Sequence, residues 1–73
     1  MNTPLTVDVI VLEGLTLGRR VRLARIAKGL RQLDVASLTR LQPSDVCNVE
    51  LDRPVYRWKL ARILEVLELE RKP

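Results

Sequence analysis

The apolar positions of the chain follow two different repeats, one near the N-terminus and one over the rest of the sequence. Residues 5–12 alternate between two faces, and Pro4 and Gly14 bound this run. One face, at a period of two, is built from Leu5, Val7, Val9 and Val11. The β-branched composition and the flanking turn residues predict a β-strand.

This predicted strand has no partner strand elsewhere in the sequence. A lone strand leaves two rows of backbone donors and acceptors unpaired. Antiparallel pairing with the same strand of a second copy satisfies one row, so we expect residues 1–14 to form a dimerisation segment. The alternative is an irregular arm that packs along its own domain.

From residue 15 onward, apolar residues recur at the three- and four-residue spacing of amphipathic helices. This spacing predicts four helices, over about residues 15–28, 32–39, 43–51 and 56–68. Thr16 is the expected N-cap of the first helix, Gly29 ends that helix, and Pro43 suits the first turn of the third. The predicted fold is an all-α, compact four-helix domain over residues 15–70, preceded by the N-terminal β-strand.

Positive charge is concentrated in the middle of the chain. The sequence carries 13 Lys and Arg against 9 Asp and Glu. Residues 19–62 contain 11 of the basic residues but only four of the acidic ones, a local balance of +7. This balance favours a polyanionic partner, because Lys and Arg near phosphates release condensed counterions. The alternative is a set of solvated helix faces.

Several kinds of chemistry are excluded by residue type. The chain has no His and a single cysteine, Cys47. One chain therefore cannot form a disulfide, a His-ligated metal site or a Cys–His catalytic pair. The sequence also lacks a phosphate-cradling glycine loop and a recognisable set of nucleophile, base and oxyanion donors. We expect no enzyme activity, no cofactor and no metal, and we expect Cys47 to be a small filler rather than a thiol sensor.

No segment of the sequence is typical of a membrane anchor or a signal peptide. The longest uninterrupted apolar run is Val9–Leu12, far shorter than the ~20 residues that span a bilayer. Asp8 interrupts the apolar stretch, and no basic segment precedes it. Because an unpaired cysteine fits a reducing compartment, we expect a cytoplasmic protein without membrane contact.

The second and third predicted helices carry the most informative pattern. One small and three larger apolar side chains occur where two helices would cross: Ala36, Leu41, Val46 and Val49. With Glu50 and the segments 17–22, 29–32 and 60–69, this pattern resembles the helix-turn-helix of the phage repressor and Cro family, also called the Xre family. The resemblance covers roughly residues 17–69 and leaves the strand outside it.

In that family the third helix enters the major groove of DNA and the second helix crosses the DNA backbone. The resemblance implies a DNA-binding surface that consists of Arg31, Gln32, Arg40, Gln42, Pro43, Ser44, Asp45, Asn48, Arg53 and Arg57. Asn48 would contact adenine, Asp45 would accept from a cytosine amino group, and Ser44 suits a base or a phosphate. Arg53 and Arg57 would reach the flanking phosphates.

Several of these residues have a structural alternative. Gln32, which would bind a phosphate or orient a base-reading residue, is otherwise a polar residue of a first helical turn. The alternative to a DNA contact is a solvated surface amide for Asn48, and for Asp45 it is a favourable charge in the first turn of a helix. Trp58 is expected to anchor the core or an interface, because two aromatic residues are too few for a base-stacking platform.

The resemblance also implies an ion pair between Arg25 and Glu50, and the sequence departs from the family pattern in several places. Arg40 stands where the family commonly has a left-handed Gly, at a cost of about 1 kcal/mol. Arg31 replaces the usual Ser, Thr or Asn cap, which weakens the start of the second helix. The third helix carries no Arg or Lys on its outer face, so strong guanine reading by that helix is not expected.

We therefore expect a sequence-specific transcriptional regulator that binds double-stranded DNA, of the phage or mobile-element repressor type. It would bind a palindromic operator as a homodimer, with half-sites about one helical turn apart. The alternative is a protein–protein adaptor or antirepressor that uses the same fold without reading bases. Asp45 and the missing basic recognition face favour that alternative.

Deleting residues 1–12 is expected to convert the dimer into monomers, because the deletion removes the strand that pairs across the two-fold axis. Analytical ultracentrifugation of the full-length and shortened chains at matched concentrations measures this change. A shortened chain that still sediments as a dimer would place dimerisation on another surface.

Overall fold

The structure of the chain is a computed structural model that describes residues 15–69. It contains four helices: α1 (Leu17–Ala27), α2 (Gln32–Thr39), α3 (Pro43–Glu50) and α4 (Arg57–Val66). The predicted all-α class and the four helices are confirmed for the described residues, with end positions that differ by one or two residues. The strand predicted over residues 5–12 lies outside the described residues.

The first helix begins and ends with the residues that its sequence predicts. The hydroxyl oxygen of Thr16 accepts a hydrogen bond from the backbone N–H of Arg19, at 3.2 Å. At the other end, Gly29 adopts a φ of +71°, which is the left-handed conformation typical of a helix terminus. The N–H of Leu30 then donates back to the carbonyl of Arg25, at 3.1 Å.

The other three helices end in the same way without a glycine. Each is followed by a residue with a φ near +60° and by an N–H that donates back into the last turn of the helix. The three left-handed residues are Arg40, Asp52 and Glu68. A non-glycine residue in this conformation costs about 1 kcal/mol, so packing of the neighbouring residues must hold each turn in place. Leu41 and Leu69, the donors after Arg40 and Glu68, are both packed against the core.

The core lies where α1, α2 and α4 meet α3 and one another. The fully buried apolar side chains are Val21, Val35, Ala36, Val46, Val49, Ile63, Leu64 and Leu67. Ala36 is only 2% exposed, and α2 packs directly against α3. The predicted role of a small residue at this crossing therefore agrees with its burial.

Two side chains that the periodicity assigned to apolar stripes lie outside this core. Trp58, which was expected to anchor the core or an interface, is 53% exposed, so a core role is wrong. Leu23 of α1 is equally exposed. Both helices are short, and their single buried stripes are filled by Val21 in α1 and by Ile63 and Leu64 in α4. No helix among residues 15–69 combines the length and the apolar character needed to cross a bilayer.

Gly18 fixes how closely the start of α1 approaches the end of α3. A Cβ atom at this position would lie 2.5 Å from the carbonyl oxygen of Val49 and 2.7 Å from that of Glu50. The N–H of Gly18 donates to Oδ1 of Asp52, at 2.9 Å. These contacts are with the last turn of α3 and the turn that follows it, so a side chain at position 18 would push the two helices apart.

Gly18→Ala is expected to lower the free energy of unfolding by about 1–3 kcal/mol, the usual range for overpacking. The clash outweighs the higher helix propensity of alanine, which contributes about 1 kcal/mol in the opposite direction. Urea unfolding followed by circular dichroism measures the difference. Arg20→Ala, at an exposed position of the same helix, is the matched control. A Gly18→Ala protein as stable as that control would contradict the close approach.

Candidate nucleic-acid interface

The α2–α3 pair and the segment after α3 carry all the residues implied to bind DNA. Seven of these ten residues are exposed: Arg31, Arg40, Gln42, Pro43, Ser44, Arg53 and Arg57. Gln32, Asp45 and Asn48 are half-buried and make closer contact with the rest of the domain. The exposed residues form the surface that a partner can reach directly.

The first turns of α2 and α3 each contain an aspartate whose carboxylate accepts a hydrogen bond from the backbone N–H of the residue before the helix. Asp34 accepts from the N–H of Arg31 at 2.7 Å, and Asp45 accepts from the N–H of Gln42 at 3.0 Å. The Arg31 guanidinium also lies 3.0 Å from Asp34, and this contact lowers the pKa of Asp34 to about 2. The weak start expected for α2 is therefore offset by an acidic residue three positions later.

Both carboxylate oxygens of Asp45 interact with donors of the same domain. Its Oδ2 accepts from the N–H of Gln42, and its Oδ1 lies 3.0 Å from the Nζ of Lys59 in α4. These two contacts, the backbone N–H first, lower the pKa of the Asp45 carboxyl. Each carboxylate oxygen already has a donor, so the geometry matches the structural alternative for this residue. The ion pair also joins α3 to α4 and neutralises an acidic group on the candidate surface.

Glu50 brings together three helices. Its Oε2 lies 2.6 Å from the Nε of Arg25 in α1, and its Oε1 accepts from Nη2 of the same guanidinium at 3.2 Å. The side-chain amide of Gln32, at the start of α2, donates to Oε1 at 3.0 Å. The remaining Arg25 donor, Nη1, reaches the carbonyl of Leu30 at 2.9 Å. The structure thus brings Arg25 and Glu50 together and also fixes the amide of Gln32.

Three exposed arginines lie before and after α3 in the chain. Arg40 lies in the turn before α3, and Arg53 and Arg57 follow it. None of the three has an ion-pair partner among residues 15–69, whereas Asp34, Asp45 and Glu50 are all paired. Three of the four acidic groups of this region are therefore compensated by ion pairs, the exception being Asp52, while these arginines retain uncompensated positive charge.

Two cationic residues of α4 have roles that the sequence did not predict. Lys59 pairs with Asp45, and its ammonium also lies 5.6–5.7 Å from the rings of Tyr56 and Trp58. The Arg62 guanidinium lies 5.0 Å from the Trp58 ring and donates to the carbonyl of Thr39 at the end of α2. The spacing of Trp58 and Arg62, four residues apart on a helix, is a local signal for such a contact. The contact of Arg62 with Thr39 and that of Lys59 with Asp45 have no local signal of this kind, because they depend on how the helices pack.

A shallow groove separates α3 from the start of α4. It has a volume of about 370 Å³ and is lined by Asp45, Asn48, Pro54, Val55, Tyr56 and Lys59. Asn48 therefore borders an open space, and the other lining residues include Pro54 and Tyr56, the chain neighbours of Arg53 and Arg57. A partner that contacts Arg53 or Arg57 would also come close to this amide.

No family model, characterised protein or solved structure matches the chain. The interpretation of this surface therefore depends on its residues and on their geometry.

Glu50→Ala is expected to lower the free energy of unfolding by about 3 kcal/mol, because it leaves the mostly buried Arg25 guanidinium without its counter-charge. Chemical unfolding followed by circular dichroism measures the loss. Glu65→Ala removes an exposed carboxylate of α4 and should change stability by no more than about 0.5 kcal/mol. Equal effects of the two substitutions would show that the Glu50 contacts do not stabilise the fold.

Proposed function

We propose that this chain is a sequence-specific DNA-binding protein that uses α2, the turn and α3 as a helix-turn-helix. In this arrangement α3 lies in the major groove and α2 crosses the DNA backbone. The resemblance to the phage repressor and Cro family supports a transcriptional regulator, most simply a repressor of phage or mobile-element type. Such a protein acts in the cytoplasm and represses by occupying a promoter.

The distribution of charge around α3 is the observation that carries this proposal. Arg40 lies on one side of the exposed first turn of α3, and Arg53 and Arg57 lie beyond the other end of the helix. Phosphates run along both edges of the major groove, so cations on both sides of an inserted helix can fix its register. The internal pairing of Asp34, Asp45 and Glu50 removes most of the repulsion that unpaired carboxylates would exert there.

Uncharged polar residues are proposed to read the bases. Gln42 and Ser44 are exposed at the start of α3, and Asn48 follows one turn later beside the shallow groove. Asn and Gln can make two hydrogen bonds to adenine, and Ser can bond to a base or a phosphate. Because α3 carries no Arg or Lys, guanine contacts are expected to contribute less to recognition than adenine contacts.

A homodimer is proposed as the form that binds the operator. One short α3 helix reads only a few base pairs, and two copies related by a two-fold axis double the contact surface. Their half-sites would lie about 34–36 Å apart along the DNA, which is one helical turn. The N-terminal residues 1–14 are the proposed dimerisation segment.

A protein–protein adaptor is the second candidate, and the outer face of α2 favours it. Leu33 and Leu38 are 55% and 59% exposed, although α2 is the helix that would cross a phosphate backbone. Exposed leucines are common on protein surfaces, but two on this face suit an apolar partner better than DNA. An adaptor of this kind would bind DNA weakly and without sequence preference.

Asn48→Ala and Arg53→Ala are expected to change DNA binding in different ways. Loss of Asn48 should relax selection at one base position, with a cost of about 1–3 kcal/mol on the preferred sequence. Loss of Arg53 should weaken binding to all sequences alike and reduce the slope of log K against log salt by about 1. Selection of operators from randomised duplexes, followed by binding titrations at several salt concentrations, measures both effects.

Arg20→Ala is the matched control, because it removes the same charge from an exposed position of α1, a helix outside the proposed helix-turn-helix. It should leave base selection unchanged and alter the salt slope less than Arg53→Ala. Failure to select any duplex, together with salt-independent binding, would reject the DNA-binding proposal and favour the adaptor. Identical behaviour of Asn48→Ala and Arg53→Ala would reject the proposed docking of α3.

A further inference from the structure

A groove between α1 and the end of α3 is lined by large apolar side chains that the core does not use. Its volume is about 470 Å³. Leu23 and Ile26 of α1 and Leu51 after α3 line it, and each is 52–54% exposed. Leu15, the first described residue, lines the same groove. Four large apolar side chains on one concave surface exceed the scattered exposure that is ordinary on a small protein.

We propose that residues 5–12 of the same chain cover this groove. The proposal concerns packing within one molecule, and it does not depend on DNA binding. Three properties support it: the position at which the chain reaches the groove, the length of the segment, and the match in polarity and charge.

The chain reaches the described domain at the groove itself. Only Glu13 and Gly14 separate Leu12 from Leu15, so Leu12 lies within about 11 Å of a residue that lines the groove. A connection this short gives an effective concentration in the millimolar range or above, which favours the segment of the same chain over that of a second copy. Gly14 can adopt the conformations that a reversal of the chain direction requires.

The segment is long enough to follow the groove. From Arg19 to Ile26 the groove extends along α1 for about 10 Å, at 1.5 Å per residue. Eight residues in extended conformation reach about 26 Å, at 3.3 Å per residue. Residues 5–12 therefore cover the groove and leave several residues to complete the reversal.

Polarity and charge are also complementary. Residues 5–12 present one face of leucine and valine at a period of two, and the floor of the groove is leucine and isoleucine. Arg19 and Arg22 border the groove, and neither has an ion-pair partner among residues 15–69. Residues 1–14 carry two carboxylates. Glu13 lies in the connection to the groove, and alternation places Asp8 on the face opposite the valines, so the attraction to the arginines acts at a distance rather than by contact inside the groove.

The acidic residues that also line the groove do not oppose this arrangement. Glu50 is paired with Arg25, and Asp52 accepts from the N–H of Gly18. Asp52 has no ion-pair partner among residues 15–69 and keeps its charge, but Arg19 and Arg22 outnumber it. The net charge that remains at the border is therefore positive, which attracts an acidic segment. Packing of this kind uses a side-chain face, so a backbone edge of residues 5–12 stays available to pair with a second copy.

Paramagnetic relaxation in the full-length chain tests the proposal. A nitroxide is attached at Arg22→Cys in a Cys47→Ser background, and the amide signals of residues 5–12 are recorded by NMR. Leu38→Cys in the same background, on the exposed face of α2, carries the control label. We expect strong broadening of residues 5–12 from position 22 and much weaker broadening from position 38.

Dilution of the labelled chain with a large excess of unlabelled diamagnetic chain distinguishes the occupants of the groove. Broadening that persists supports the segment of the same molecule. Broadening that disappears on dilution assigns the groove to a second copy, and equal broadening from the two positions means that the segment does not dock there. Either of these last two results would overturn the proposal.

Substitutions in the groove supply an independent measurement. The double substitution Leu23→Glu and Ile26→Glu should accelerate hydrogen exchange in residues 5–12 by about tenfold or more. Charged groups in the groove lower the free energy needed for residues 5–12 to detach from it. Leu38→Glu, an equally exposed leucine outside the groove, should leave that exchange unchanged. Circular dichroism verifies that both proteins keep their helices. Unchanged exchange in the folded groove variant would also overturn the proposal.

Discussion

The carboxylate of Glu50 is the single group on which the arrangement of the first three helices depends. It lies at the last position of α3 and is only 8% exposed. A buried carboxylate is costly unless it is paired and hydrogen-bonded, and here the guanidinium of Arg25 and the amide of Gln32 supply three donors. Because these donors come from α1 and α2, the position of α3 is tied to both helices by one charged group.

Backbone proximity makes this contact possible. Gly18 has no side chain, so the start of α1 can approach the carbonyls at the end of α3, and Ala36 allows α2 to approach α3 on its other side. The small residues determine the distances, while the Glu50 contacts select which polar groups face each other. A domain of this size has a small core, so such polar contacts have a large share in specifying one packing.

Local signals in the sequence predicted most of the fold, and tertiary contacts account for what it missed. Gly29 and Thr16 mark the ends of α1 through their own backbone and side-chain preferences, so the sequence alone predicted both helix ends. Asp52 and Glu68 adopt the same left-handed conformation as Gly29. The residue type of Asp52 is only a weak signal for it, and that of Glu68 gives none. Trp58 was expected to anchor the core or an interface, and its 53% exposure excludes the core. Residue type alone does not show which side chains of a short helix the neighbouring helices can cover. The pairing of Asp45 with Lys59 joins residues of different helices, and one sequence carries no signal for it.

The ion pairs of Asp34 and Asp45 also determine the charge that the candidate surface presents to a partner. If Asp45 and Asp34 were unpaired, the first turns of α2 and α3 would both present negative charge toward a partner, and a polyanion would be repelled. Lys59 and Arg31 offset those charges within the domain, so these two cations add little to the net positive charge of the surface. The positive charge that remains near α3 belongs to Arg40, Arg53 and Arg57, which lie before and after the helix rather than on it. In the proposed DNA complex this arrangement would separate two tasks of recognition: the arginines would position the protein on any duplex, whereas discrimination between sequences would depend on the uncharged polar residues of α3.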